Sequence, residues 1–206
     1  MLGAAPTGLP LPAHATAGER TVAAALVAHL PGCAIWYELR LPLAPRRVLR
    51  PDFVLLGRRG LVVLEVKGWR AHDVQESGPN RFQLERGRAG QPEMQAYRYT
   101  LALRTALGGL AAVAGIVRYG LVLPFIARPQ LAHWAWAGAL DLTHLLTRDD
   151  LGTTLPTRLR ALPPGDSPLL SPETFTQIQT ALAAYAAPVP DPKPPQPGLF
   201  DQETAP

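Results

Sequence analysis

Residues 50–69 read Arg-Pro-Asp-Phe-Val-Leu-Leu-Gly-Arg-Arg-Gly-Leu-Val-Val-Leu-Glu-Val-Lys-Gly-Trp, and this stretch decides the fold. Two runs of strand-forming residues, Phe53 to Leu56 and Leu61 to Leu64, flank Gly57-Arg58-Arg59-Gly60, which reads as a four-residue hairpin loop. With Leu56 facing Leu61 across the turn, counting back along both strands sets Asp52 opposite Glu65. Directly opposed residues share a face, with Cβ atoms roughly 4.5–5.5 Å apart. Strand alternation carries Lys67 to the same face. Carboxylates this close repel, and charge beside buried apolar runs is costly unless it is paired or holds a metal. Mg²⁺, which prefers carboxylate oxygens and water, relieves both costs. Lys67 then neutralises a phosphate or positions a water. The lysine also departs from the chain's habit: of its 20 Lys+Arg residues only Lys67 and Lys193 are lysine. The competing reading is a buried, ion-paired hairpin with no chemistry.

Pro51-Asp52, followed on the next strand by Glu65-Val66-Lys67, resembles the signature of the PD-(D/E)xK nuclease superfamily in order and spacing. The closer resemblance is to its nuclease-related (NERD) branch, carried by Asp52 to Leu56 and by Gly60 to Trp69. That resemblance implies an α/β, restriction-endonuclease-like core, with a mixed central sheet flanked by helices. It also implies metal-dependent hydrolysis of DNA phosphodiester bonds in repair, replication or defence. Asp52 and Glu65 would hold Mg²⁺ or Mn²⁺, joined by the Val66 carbonyl, and Lys67 would orient the attacking water. Glu19 matches a glutamate that often completes the metal site from the first helix; its alternative reading is an acid favouring a helix N-terminus. Gln95 and Tyr99 match a Gln-x-x-x-Tyr signature that lies near the metal in several branches. Four residues apart, they share one helical face, which can equally be a half-buried amphipathic surface.

Around this motif the 206-residue chain reads as one domain, residues 18–186, with a flexible Ala/Pro/Gly-rich N-terminus (1–17) and a Pro-rich tail (187–206). A net charge of +4 is compatible with a nucleic-acid partner. One cysteine, Cys33, excludes an internal disulfide and points to a cytoplasmic protein. No signal peptide and no uninterrupted membrane-length run is expected. Helices are expected over Gly18–Leu30, Gln91–Leu107, Asp149–Leu162 (kinked or split at Pro156) and Pro172–Ala186. Strands are expected over Ala34–Leu41, Val48–Leu56, Leu61–Val66, Ile116–Phe125 and Trp134–Leu140. Arg70–Gly90 reads as a loop with a short hairpin around Arg81–Leu84.

Arg46, Arg47, Arg50, Arg58, Arg59 and Arg70 cluster around the hairpin, and arginine suits phosphate contact, but Arg58 and Arg59 at the turn read as solvated. Trp69 reads as packing rather than base stacking. The five histidines show no ligand spacing, and no nucleotide-binding Gly-Lys-Ser/Thr loop occurs. In the tail, Gln196, Leu199 and Phe200 resemble the short peptide that binds the bacterial sliding clamp. Two other functions therefore compete with the nuclease: a catalytically silent DNA-binding accessory of a helicase or repair complex, and an adaptor tethered to the clamp.

Overall fold

The computed structural model describes residues 9–44, 47–78, 81–84, 87–89, 92–108, 110, 117–132, 141–165 and 167–186. The strand expected at Trp134–Leu140, the residue Arg46 and the tail motif of Gln196, Leu199 and Phe200 lie outside them. In chain order the elements are α1 (Ala17–His29), β1 (Ala34–Tyr37), β2 (Leu41–Ala44), β3 (Arg47–Leu49), β4 (Phe53–Gly57), β5 (Gly60–Val66), β6 (Val74–Gly78), β7 (Arg81–Leu84) and β8 (Gly87–Ala89). They continue with α2 (Pro92–Ala106), β9 (Val117–Leu123), α3 (Arg128–Ala132), β10 (Leu145–Thr147), α4 (Leu155–Ala161) and α5 (Pro172–Ala183). Single 3₁₀ turns occupy Ala71–Asp73, Leu142–His144 and Arg148–Asp150.

Five strands form the central sheet in the order β1-β4-β5-β9-β10. β1, β4 and β5 are antiparallel neighbours, whereas β5, β9 and β10 run parallel, so the sheet is mixed. Parallel neighbours need a crossover, and the connection from β5 to β9 contains α2. Alternation then divides the core. Val54, Leu56, Leu61 and Val63 point to one face, where they meet Tyr99, Ala102 and Leu103 of α2 and Ile178 and Leu182 of α5. Phe53, Leu55, Val62, Leu64 and Val66 point to the other, against Val22, Ala23 and Leu26 of α1 and Leu155 and Leu159 of α4. Each fully buried Leu or Phe contributes roughly 1.5–3 kcal/mol by burial, so this two-faced sandwich sets the position of everything attached to it. The molecule is the expected α/β architecture, a mixed sheet flanked by helices.

Several boundaries differ from those expected. Gly57 pairs with Gly60, so the hairpin loop is two residues, Arg58-Arg59, not four; the register is unchanged because Leu56 still faces Leu61. The strand expected at Val48–Leu56 is divided near Pro51: β3 pairs with β2 in a separate two-stranded sheet, while β4 joins the central one. Ala34–Leu41 is likewise not one strand. Glu38 adopts φ 49°, and the left-handed residue turns the chain out of β1 before β2 begins. β6, β7 and β8 form a three-stranded antiparallel sheet where a loop with one hairpin was expected. Pro156 does not kink a long helix; it sits in the first turn of the short α4, where its missing N–H costs nothing. The N-terminal segment is held from Leu9 onward. Leu9 and Leu11 pack on the α1 face, and Arg20 donates to the carbonyls of Pro12 and Ala13, both at 3.0 Å.

Candidate active site

The hairpin register sets Asp52 immediately before β4 and level with Glu65 on β5. Asp52 is tied at both ends. Its Oδ2 accepts from the Val66 backbone N–H at 2.7 Å, and its carbonyl accepts from the Glu38 N–H at 3.2 Å. Glu65 is 2% exposed. Lys67 extends the β5–β9 pairing by donating its backbone N–H to the Val122 carbonyl at 2.9 Å. Its Nζ lies 2.5 Å from Glu65 Oε1 and makes a long 3.4 Å contact to Gln95 Oε1. Gln95 Nε2 in turn donates to the Tyr99 hydroxyl at 2.7 Å. The structure thus brings Asp52, Glu65, Lys67, Gln95 and Tyr99 to one end of the α2 face of the sheet, the last two from a single helix face.

Burial and the neighbouring Glu65 charge push the Asp52 carboxyl up to about 8, against a hydrogen bond from Val66 and the Lys67 charge that favour ionisation. Tyr99 is raised above the ordinary tyrosine range by burial and then by Glu65. These shifts report one condition: negative charge is concentrated in a partly dehydrated place.

Glu19 contributes to the same field from α1, since its charge is among those raising Asp52. The sequence places it there through a capping box: Thr16 N–H donates to Glu19 Oε2 at 2.7 Å, and Glu19 N–H donates to Thr16 Oγ1 at 3.2 Å. The Tyr37 hydroxyl donates to the same Oε2 at 2.9 Å. Glu19 therefore caps α1, and its charge bears on Asp52. Gly18 makes the approach possible. A Cβ there would meet Gly68 Cα at 3.2 Å, Pro124 Cγ at 3.3 Å and Val66 Cγ1 at 3.4 Å, so the first turn of α1 lies against the end of β5.

One acidic neighbour escaped the sequence reading. Glu38 adjoins Tyr37, bonds Asp52 through its backbone and bears electrostatically on the Tyr37 and Tyr99 hydroxyls; His14 Nε2 lies 3.3 Å from its Oε2. No spacing in Ala34–Leu41 signals the left-handed turn that brings it there. Other candidates stand elsewhere. His72 is exposed and pairs with Asp73 at 3.4 Å. Arg59 is not a solvated turn residue: it donates to the Ser167 carbonyl at 3.1 Å, and its own carbonyl accepts from Arg118 at 2.9 Å. Cys33 is partly buried against the α1 core, and desolvation raises its thiol pKa, as befits a small apolar filler.

A second group of potential ligands was also invisible in the sequence. Glu93 at the start of α2, Asp141 and His144 each offer an atom, all within 4.8 Å of one another.

A mixed sheet between helices, with acidic side chains and a lysine at the end of its central hairpin, defines the restriction-endonuclease-like class of α/β proteins. Residues 14–124, more than half of the chain, match the family model of the nuclease-related domain, and the chain belongs to that NERD family. No curated protein and no solved structure matches it. Among the described residues no helix is long and apolar enough to cross a membrane.

Proposed function

We propose that the chain is a metal-dependent deoxyribonuclease whose centre is Asp52, Glu65 and Lys67. The observation that carries this reading is the apposition of two carboxylates at the mouth of a buried hairpin, with the Lys67 ammonium 2.5 Å from one of them. The donor set suits a hard dication: the two carboxylates offer oxygen ligands, and the raised Asp52 pKa, set by burial and the Glu65 charge, supports a site that gains from added positive charge. Asp52 and Glu65, with the Val66 carbonyl and Glu19, would hold Mg²⁺ or Mn²⁺. The ion supplies Lewis-acid stabilisation of charge growing on the phosphate oxygens.

The remaining steps belong to the chain's own residues. The Asp52–Val66 hydrogen bond and the hairpin ladder fix one carboxylate; the β5–β9 ladder fixes the other. Lys67, steered by Glu65 and Gln95, presents N–H donors to a phosphate oxygen and to the attacking water. Tyr99 holds Gln95 in place through its hydroxyl. Water oxygen adds to phosphorus and gives up one proton. The P–O bond to the leaving sugar oxygen breaks with its electron pair on that oxygen, and the oxygen takes up a proton from solvent, so the net change is the addition of one water. DNA is the substrate the family description favours. A role in repair, replication or defence, in company with a helicase or a sliding clamp, is the biological setting we propose for it.

The test is cleavage of plasmid, linear and single-stranded DNA with Mg²⁺ or Mn²⁺ by the wild type and Lys67→Ala. Metal-dependent cleavage lost in the variant is expected. Inactivity of the wild type on all three substrates, or undiminished cleavage by the variant, would overturn the assignment.

A further inference from the structure

We propose that Glu93, Asp141 and His144 form a zinc-class metal site, distinct from the carboxylate centre, which ties the first turn of α2 to the segment leading into β10. The three ligand atoms lie within 4.8 Å of one another. Asp141 and His144 also lie beyond the residues that match the family model.

His144 carries the argument. It is 9% exposed, and its ring is fixed twice. Nδ1 is 3.1 Å from the Tyr119 carbonyl, and the imidazole stacks on the Tyr119 ring with centroids 3.9 Å apart and planes within 3°. A carbonyl can only accept, so Nδ1 carries a proton, and in the neutral imidazole that leaves the lone pair on Nε2. This is the second interaction that metal-bound imidazoles commonly use to set tautomer and direction. Nε2 then faces Asp141 Oδ2 at 4.0 Å, too far for a hydrogen bond.

The carboxylates are also pre-positioned. Asp141 Oδ1 is occupied by the Thr143 N–H at 2.9 Å and the Thr143 hydroxyl at 2.6 Å, which leaves Oδ2 for the ion. Glu93 accepts from the Tyr119 hydroxyl and from the Asp141 N–H, each at a long 3.3 Å. Tetrahedral bonds of about 2.1 Å place ligand atoms about 3.4 Å apart, so the three must close by up to about 1.4 Å from their 4.8 Å limit. Asp141 is exposed and Glu93 is a flexible side chain in a first helical turn, so both can move onto the fixed imidazole. One imidazole with two carboxylates selects a borderline transition-metal dication over Mg²⁺ or Ca²⁺, and the fourth position is left to water. The ion would anchor the end of α2 two residues before Gln95. Its role is structural, and it does not depend on the nuclease reading.

The full-length protein is titrated with Zn²⁺ by calorimetry and with Co²⁺ by visible absorption, alongside His144→Ala, Glu93→Gln and Glu65→Gln. Glu93→Gln retains a carbonyl acceptor for the Tyr119 hydroxyl and the Asp141 N–H, so it keeps the test valid if His144→Ala does not fold. In Glu65→Gln, where the carboxylate centre is disabled, one equivalent should bind; the wild type should bind that equivalent besides any the carboxylate centre takes, and it should weaken at least about tenfold in Glu93→Gln and in folded His144→Ala. At about a hundredfold excess over Kd, zinc should raise the wild-type melting temperature by roughly 5–10 °C. The same stoichiometry and affinity in Glu93→Gln as in the wild type, no binding in Glu65→Gln, or no binding in the wild type would overturn the site. Glu65→Gln separates this result from any failure of the nuclease centre.

Discussion

Asp52→Asn should make the metal-free protein more stable at neutral pH, although it removes a residue of the proposed centre. The Asp52 carboxyl is raised from the usual 3.8 to about 8 by burial and by Glu65. Between those values the folded chain keeps a proton that the unfolded chain releases, so stability falls as pH rises through the window and levels off above it. At 1.36 kcal/mol per unit, the roughly three units between 3.8 and neutrality set a ceiling of about 4 kcal/mol. Relaxation of the Asp52–Glu65–Lys67 group on ionisation brings the expected cost to roughly 1–3 kcal/mol. Asparagine removes that cost and keeps an oxygen for the Val66 N–H. Urea unfolding in chelator at about pH 5.5 and about pH 7.5 measures it. The variant should gain on the wild type by about 1–2 kcal/mol between the two conditions and be the more stable at the higher pH. Asp141 and Asp150, both held below the usual carboxylate range, titrate outside this window. An Asn variant that is less stable at both pH values, or a gap that does not move with pH, would refute the reasoning.

Two further outcomes follow from packing and charge. Gly18→Ala drives a methyl into Gly68 Cα and Pro124, and should destabilise the fold by roughly 1–2 kcal/mol, read as a drop of several degrees in thermal melting, while pushing Glu19 away from Asp52. Asp150 is pulled upward by burial, yet hydrogen bonds from Thr147 and Arg128 outweigh this and hold its carboxyl below the usual range. Its stabilisation is therefore full above the ordinary carboxylate pKa and is lost as pH falls through the depressed one. Asp150→Asn should flatten the acid limb of the stability curve and cost roughly 1–3 kcal/mol at neutral pH, because Arg128 and Arg158 lose their shared partner.

The hairpin was legible because its geometry is local. Once Leu56 faces Leu61, the two-residue period of a strand fixes Asp52, Glu65 and Lys67 without reference to the rest of the chain. Tightening the loop from four residues to two left that register intact, since both readings share the same symmetry point between Arg58 and Arg59. Gln95 and Tyr99 were legible for a similar reason, being one helical turn apart. What failed depended on single backbone choices or on tertiary contact. Nothing in Ala34–Leu41 encodes a positive φ at Glu38, and Pro51 separates two sheets that the sequence runs together. The three-residue β10 is too short to show a period and exists because it pairs with β9.

The same distinction explains why the two proposed metal sites differ in character. The carboxylate centre is written into one hairpin, and both its ligands are set by a ladder that cannot slip without turning Glu65 into the opposite core. The Glu93–Asp141–His144 group draws on α2 and the turn before β10, and it is held together by Tyr119 of β9, whose ring, hydroxyl and carbonyl touch two of its three members. α2 belongs to both. Gln95 reaches Lys67 from one position, and Glu93, two residues earlier, reaches Asp141. Gln95 is the only side chain besides Glu65 seen to contact Lys67 among the described residues, so a shift of the first turn of α2 would carry Gln95 with it. Filling the zinc-class site would therefore act on the proposed nuclease centre through position, sharpening the placement of Lys67 without adding a group to the chemistry.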